Sequence, residues 1–139
     1  MRNFSIFAIL IAELFISGCD TLNHRQYLLV PVVSNSQLEE LRTELGKVLA
    51  PVVSKYQLVD SRSDANASDV VLYFKTRSDF PIQVGAKNTS TGLVVDIIQF
   101  HPGIGEDEEY SRIIVDIRQA LGNLKTVGVL ELDNGHQTK

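Results

Sequence analysis

Tryptophan is absent from this chain, and cysteine and methionine occur once each. With Cys19 as the only thiol, no internal disulfide can form and no multi-cysteine metal site exists. Three histidines leave little for a histidine-rich centre. Lysine and arginine number 13 against 17 acids, a net charge of −4. That balance lacks the basic footprint of a nucleic-acid binder. It also lacks the polybasic patch that holds proteins on anionic lipid. No Gly-x-Ser-x-Gly elbow, Ser-x-x-Lys, His-Glu-x-x-His or phosphate-binding loop occurs. A dispersed Ser/His/Asp triad is disfavoured, since His24 and His136 fall near the expected ends of the domain. No cofactor, metal or catalytic residue is expected, and the chain reads as no enzyme.

The placement of Cys19 says most. Met1-Arg2-Asn3 gives a small positive start, Phe4–Ile16 is a mostly apolar run of 13 residues, and Ser17-Gly18 are small. A charged start, an apolar core of about 7–15 residues and a small-residue cleavage site describe an export signal. The run is too short to cross the bilayer as a helix, which needs roughly 20 residues. Ile16-Ser17-Gly18-Cys19 resembles the lipobox of bacterial lipoproteins. Ile16 stands where that family usually has Leu, and Glu13 interrupts the apolar run. The other reading is a buried N-terminal helix ending in Gly-Cys. The resemblance implies removal of residues 1–18 and multiple acylation at Cys19. Two or more chains hold a membrane stably where one does not. It also implies that the thiol is consumed. In enteric bacteria an Asp after the cysteine, here Asp20, resembles the signal for retention in the inner membrane.

The remainder fits one domain over 27–132, with 19–26 as a lipidated tether and 133–139 as a disordered tail. Tyr27–Val33 reads as a strand, with Pro31 placing it at an edge or pairing it on one side. Ser36-Gln37-Leu38-Glu39 has capping-box spacing. Leu38, Leu41, Leu45, Val48, Leu49 and Val52 form a helical stripe that Pro51 should kink or end. Tyr56–Val59 reads as a short strand and Asp60–Asp69 as a polar loop. Val70–Phe74 is apolar on both faces and reads as a central strand. Residues 82–100 read as a hairpin turning at Asn88–Gly92. Glu106–Glu109 open a second helix with charges that suit its dipole. Its stripe is Tyr110, Ile113, Ile114, Ile117, Leu121 and Leu124. Thr126–Leu132 reads as the last strand.

This order, β-α-β-β-β-β-α-β, predicts an α+β fold, a two-layer α/β sandwich on a mixed sheet. Leu28-Leu29-Val30-Pro31, Leu58-Val59-Asp60, Ala67–Leu72 and Thr91-Gly92 resemble the TolB N-terminal-like and CsgG/LpoB-like envelope lipoprotein domains. The family usually has another helix where this chain has 61–68. The resemblance implies a non-catalytic domain that docks onto envelope proteins.

Three features are candidates for function. The segment Lys75–Pro81 is charged and carries Phe80, so Lys75, Arg77 and Phe80 are candidate partner contacts, with burial of Phe80 in the core as the alternative. His101 with Glu106 or Asp107 is a weak cation candidate, against a plain loop and helix start. Asp96, in a strand between Val95 and Ile97, reads as a solvent-facing carboxylate or a partner of Lys87 rather than a catalytic group. Together these features predict a lipid-anchored, periplasm-facing interaction domain with an envelope protein as partner and no nucleic acid. The alternatives are an inhibitor or immunity-type lipoprotein and an envelope hydrolase using Asp96 or His101.

Overall fold

The computed structural model describes residues 20–30, 34–65, 68–103 and 105–132. The export signal at 1–18, Cys19, Pro31 and the tail at 133–139 lie outside the described residues. Along the chain come β1 (Asp20–Val30), α1 (Asn35–Lys55), β2 (Val59–Asp60), a 3-10 turn (Arg62–Asp64), β3 (Val70–Lys75), β4 (Gln83–Thr89), β5 (Gly92–Pro102), α2 (Glu108–Leu121) and β6 (Gly128–Leu132). The six strands form one sheet in the order β2-β3-β4-β5-β1-β6.

The α+β class is as expected, but the sheet is not mixed. Every pairing is antiparallel. Each helix returns the chain to a strand of the same direction, but β1 lies between β5 and β6, and β2 sits at the far edge from β1, so no parallel strands become neighbours. A second difference concerns residues 20–26, expected as a tether. They are strand, and β1 pairs with β5 from Asp20↔Pro102 to Leu29↔Leu93. Polar side chains at alternate positions hid this strand. A third concerns Pro31. β1 is interior, between β5 and β6, and its pairing with β6 ends at Val30↔Gly128, before the proline that cannot donate to a ladder.

Helix α1 begins two residues earlier than the capping-box spacing indicated. Ser34 is the N-cap, and its N–H donates to Gln37 Oε1 at 3.2 Å. The helix runs through Pro51 to Lys55. Proline removes one helical hydrogen bond. Leu41, Leu45, Leu49 and Val52, buried on either side of that gap, hold the helix to the core. The strand expected at Tyr56–Val59 shrinks to Val59–Asp60, because Tyr56 and Gln57 turn the chain, with Gln57 at φ 51°. β3 is second from the edge rather than central. A register shift between Val70 and Leu72 turns both Val71 and Leu72 toward the core. Gly92, at φ 132°, closes the β4–β5 hairpin, a conformation open to glycine.

Antiparallel partners share a face, so the register sorts the side chains. Tyr27 and Leu29 of β1, Val84 and Ala86 of β4, and Leu93, Val95 and Ile97 of β5 turn inward. They meet the α1 stripe and Tyr110, Ile113, Ile117 and Leu121 of α2 in one buried cluster. The Tyr110 hydroxyl donates to the Ile97 carbonyl at 2.9 Å, joining α2 to the middle of β5. Burial first, and Glu106 second, raise its pKa. Among the described residues no helix packs on the opposite face of the sheet, although Val94 there is buried. Ile113 is fully buried, whereas Val115, two residues on, is 61% exposed. Ile113→Ala is expected to cost about 2–5 kcal/mol. Val115→Ala should stay within about 0.5 kcal/mol. Urea midpoints check the contrast, and equal costs would contradict this placement of the core.

Candidate functional site

The open face of the sheet carries the most distinctive side chains. From β1 it presents Leu22, His24, Gln26, Leu28 and Val30. From β5 it presents Val94, Asp96, Ile98 and Phe100, and from β6 Leu130 and Leu132. Tyr73 and Lys75 of β3, and Gln83, Gly85 and Lys87 of β4, complete it. A solvated sheet face ordinarily alternates to polar residues. Here Phe100 is 63% exposed, Leu22 55% and Leu130 53%.

A polar cluster interrupts this surface. Asp96 lies opposite Gln26, with His24 on the diagonal. Gln26 Nε2 donates to Asp96 Oδ1 at 2.7 Å, and His24 Nε2 lies 2.9 Å from the same oxygen. The expected partner Lys87 is not the one used. His24, expected in a solvated tether, is a half-buried strand residue. Beside the cluster lies a depression of about 250 Å³ lined by Tyr73, Gln83, Gly85, Lys87, Asp96 and Ile98 among others. A Cβ on Gly85 would meet the Tyr73 ring at 3.4 Å, an ordinary van der Waals distance. Tyr73 Oη donates to Gln83 Oε1 at 2.8 Å. The described lining holds no serine, threonine or cysteine to act as nucleophile. Such a hollow can seat one side chain of a partner.

The loop 76–82 is built by its own hydrogen bonds. Thr76 N–H donates to the Ile82 carbonyl at 3.0 Å, and Ile82 N–H donates to Thr76 Oγ1 at 2.8 Å. Ser78 Oγ donates to the Phe80 carbonyl at 3.0 Å. Thr76 and Ser78 hydroxyls lie 2.9 Å apart, so the Thr76 proton serves Ser78. Phe80 is 49% exposed and stays out of the core. Arg77 is exposed as well. Lys75 is separated from them. Its ammonium lies 3.4 Å from Asp64 and 5.3 Å from the Tyr73 ring centroid. The structure thus places Arg77 and Phe80 on one exposed loop, with Lys75 turned to the sheet face.

At the end of β5 the acids are occupied by the protein's own donors. Asp107 caps α2, accepting from Glu109 N–H, and takes a hydrogen bond of 3.1 Å from Gln99 Nε2. Glu106 pairs with Arg25 at 3.0 Å and accepts from Ser111 Oγ at 3.1 Å. His101 Nδ1, Asn23 Nδ2 and Gln99 Oε1 are buried without a hydrogen-bond partner among the described residues. The described residues hold no group of three or more His, Cys, Asp or Glu placed to bind a metal ion. His101 lies near the end of β5, and Asp107 and Glu106 sit at the capped start of α2.

Leu22, Tyr73, Gly85, Phe100 and Leu130 did not stand out in the sequence. The available signal was apolar residues at both phases of the strand period in β5, which also fits a strand covered on both sides. On the helix side, Lys55 Nζ and Tyr56 Oη donate to Asp116 Oδ2 at 2.6 and 2.7 Å, tying α1 to α2. The Lys55 hydrogen bond, then that of Tyr56, lowers the Asp116 pKa. Asp116 therefore ionises more readily in the folded chain than in the unfolded one. Its stabilising contribution is complete above the ordinary carboxylate range and is lost as pH falls through the lowered value. Asp116→Asn is expected to reduce stability at neutral pH and to flatten the acid limb below about pH 4. Urea midpoints across that range check this, and an unchanged acid slope would contradict it.

Comparison with family models, with curated proteins and with solved structures finds no match to this chain.

Proposed function

We propose that this chain is a lipid-anchored lipoprotein of the bacterial cell envelope. Its domain, a two-layer α/β sandwich facing the periplasm, binds an envelope protein and performs no chemistry of its own. The anchor rests on Ile16-Ser17-Gly18-Cys19 and the short apolar run before it. Asp20 leans the location toward the inner membrane. The carrying observation for binding is the open face. Leu28, Val30, Leu130 and Leu132 form an apolar patch across β1 and β6, next to the hollow above Gly85.

Leaving such a patch in water costs roughly 25 cal/mol per Å² relative to covering it. Isolated exposed apolar residues are ordinary, but a contiguous patch rimmed by polar groups marks an interaction site. The rim here is Gln26, Lys87 and Asp96. Tethering adds a second effect. A domain held at the membrane meets an envelope partner at high effective concentration without any new contact. Asp96 acts as an organiser of the surface, since two donors already occupy one of its oxygens. A general base would need that carboxylate to face a substrate proton.

The test is capture from detergent-solubilised envelope. The bait is the intact protein from its native host, whose mass is expected to show loss of 1–18 and acyl groups at Cys19. One stoichiometric partner is expected, and Leu130→Lys should reduce its recovery about tenfold while the urea midpoint hardly moves. A single partner retained in full by Leu130→Lys would contradict this use of the open face. An unmodified Cys19 with residues 1–18 in place would contradict the anchor.

A further inference from the structure

The far end of the open face differs from the patch proposed to bind protein. Leu22 and Phe100 are direct cross-strand partners on that face, and both are more than half exposed. They form the last apolar row before β1 begins at Asp20, which pairs with Pro102. Cys19 is bonded directly to Asp20. Leu22 is three residues from the cysteine, about 10 Å along a strand. Because 20–26 is strand rather than slack chain, no spacer separates the acylation residue from the sheet. The loop carrying Phe80 meets this end from the core side, its carbonyl accepting from the inward-facing Gln99 Nε2 at 3.3 Å.

We propose that Leu22 and Phe100 rest in the interfacial layer of the bilayer that holds the acyl chains of Cys19. This rests on the anchor proposed above. The rows of the face set the depth. The Leu22–Phe100 row is apolar, the next carries His24 with Ile98, and the one after carries Gln26 with Asp96. Two residues of strand span about 7 Å, so one row fits the roughly 5–10 Å reach of interfacial apolar side chains. The polar cluster then lies at headgroup level. Apolar exposure sets the tilt. Glu106, Asp107, Glu108 and Glu109 stand at the start of α2, at this same end but on the core side of the sheet, whereas Leu22 and Phe100 project from the open face. With a net charge of −4 and no basic patch, the contact is apolar and insensitive to salt. The domain stands on the membrane at a fixed orientation, and the Leu28–Leu130 patch lies at the end of the face remote from it.

The absence of tryptophan gives a clean test. Lipidated full-length variants Phe100→Trp, Leu22→Trp and, on the outer side of α2, Val115→Trp are reconstituted into phosphatidylethanolamine–phosphatidylglycerol vesicles. A fraction of the lipids is brominated near the glycerol end of the acyl chains. All three proteins are expected to float with the vesicles. The indoles at 100 and 22 should emit to the blue of the one at 115 and lose most of their emission to the bromolipid, at low and high salt alike. Flotation with all three indoles equally red-shifted and unquenched would overturn this inference and leave the anchor standing. Failure to float would overturn both.

Discussion

The pairing of β1 with β5 is the constraint on which the remaining structure depends. Ten residue pairs, Asp20↔Pro102 to Leu29↔Leu93, join β1 to β5, the two eleven-residue strands of the sheet. β6 then adds to the free edge of β1 over Gln26–Val30. Without β1, β6 would have no neighbour, and Tyr27 and Leu29 would leave the core. The same ladder fixes which side chains face outward. Leu22, His24, Gln26 and Leu28 stand in line on the open face because Asn23, Tyr27 and Leu29 stand in line on the other. The register that buries the core also composes the surface, since a slip of one residue would exchange the two faces.

That surface has a gradient along the strands. One end carries Leu22 and Phe100, the middle carries His24, Gln26 and Asp96, and the other end carries Leu28, Val30 and Leu130. The polar middle separates two apolar zones on one rigid sheet, with β1 running through both. On the function proposed above, one zone would meet the bilayer and the other a partner. Continuous ladders of backbone hydrogen bonds supply stiffness between the two zones. The helix layer supplies weight rather than recognition. Its outer charges pair across the two helices and along them, as in Lys55–Asp116 and Arg112–Glu108. Exposed pairs of this kind contribute roughly 0–1 kcal/mol each.

Much of the fold was legible in the sequence because its elements obey strong periods. The α2 stripe at Tyr110, Ile113, Ile117 and Leu121 is buried as its spacing indicated. The hairpin closes at Gly92, where turn residues cluster. What failed were judgements that depend on distant partners. Residues 20–26 looked like a tether because Asn23, His24, Arg25 and Gln26 are polar. Their strand conformation comes from β5, more than seventy residues away in sequence. Pro51 looked like a stop, but tertiary packing of Leu49 and Val52 carries the helix past it. β3 looked central because it is apolar on both faces, yet its outer face meets solvent and the Gly85 hollow. The candidate site was only partly visible for the same reason. Phe80 announced itself as an aromatic in a polar loop, whereas Leu22 and Phe100 become a pair only through the β1–β5 register.

The whole open surface depends on the ordered start of β1. Amide hydrogen exchange on the full-length protein, resolved at residues 21–25, tests it directly. Only β5 flanks this half of β1, so alternate amides are predicted to be protected about as strongly as those of residues 93–97 in β5. Uniform exchange at the rate of free chain across 21–25 would mean a flexible tether, and the register that aligns the anchor end with the open face would not exist.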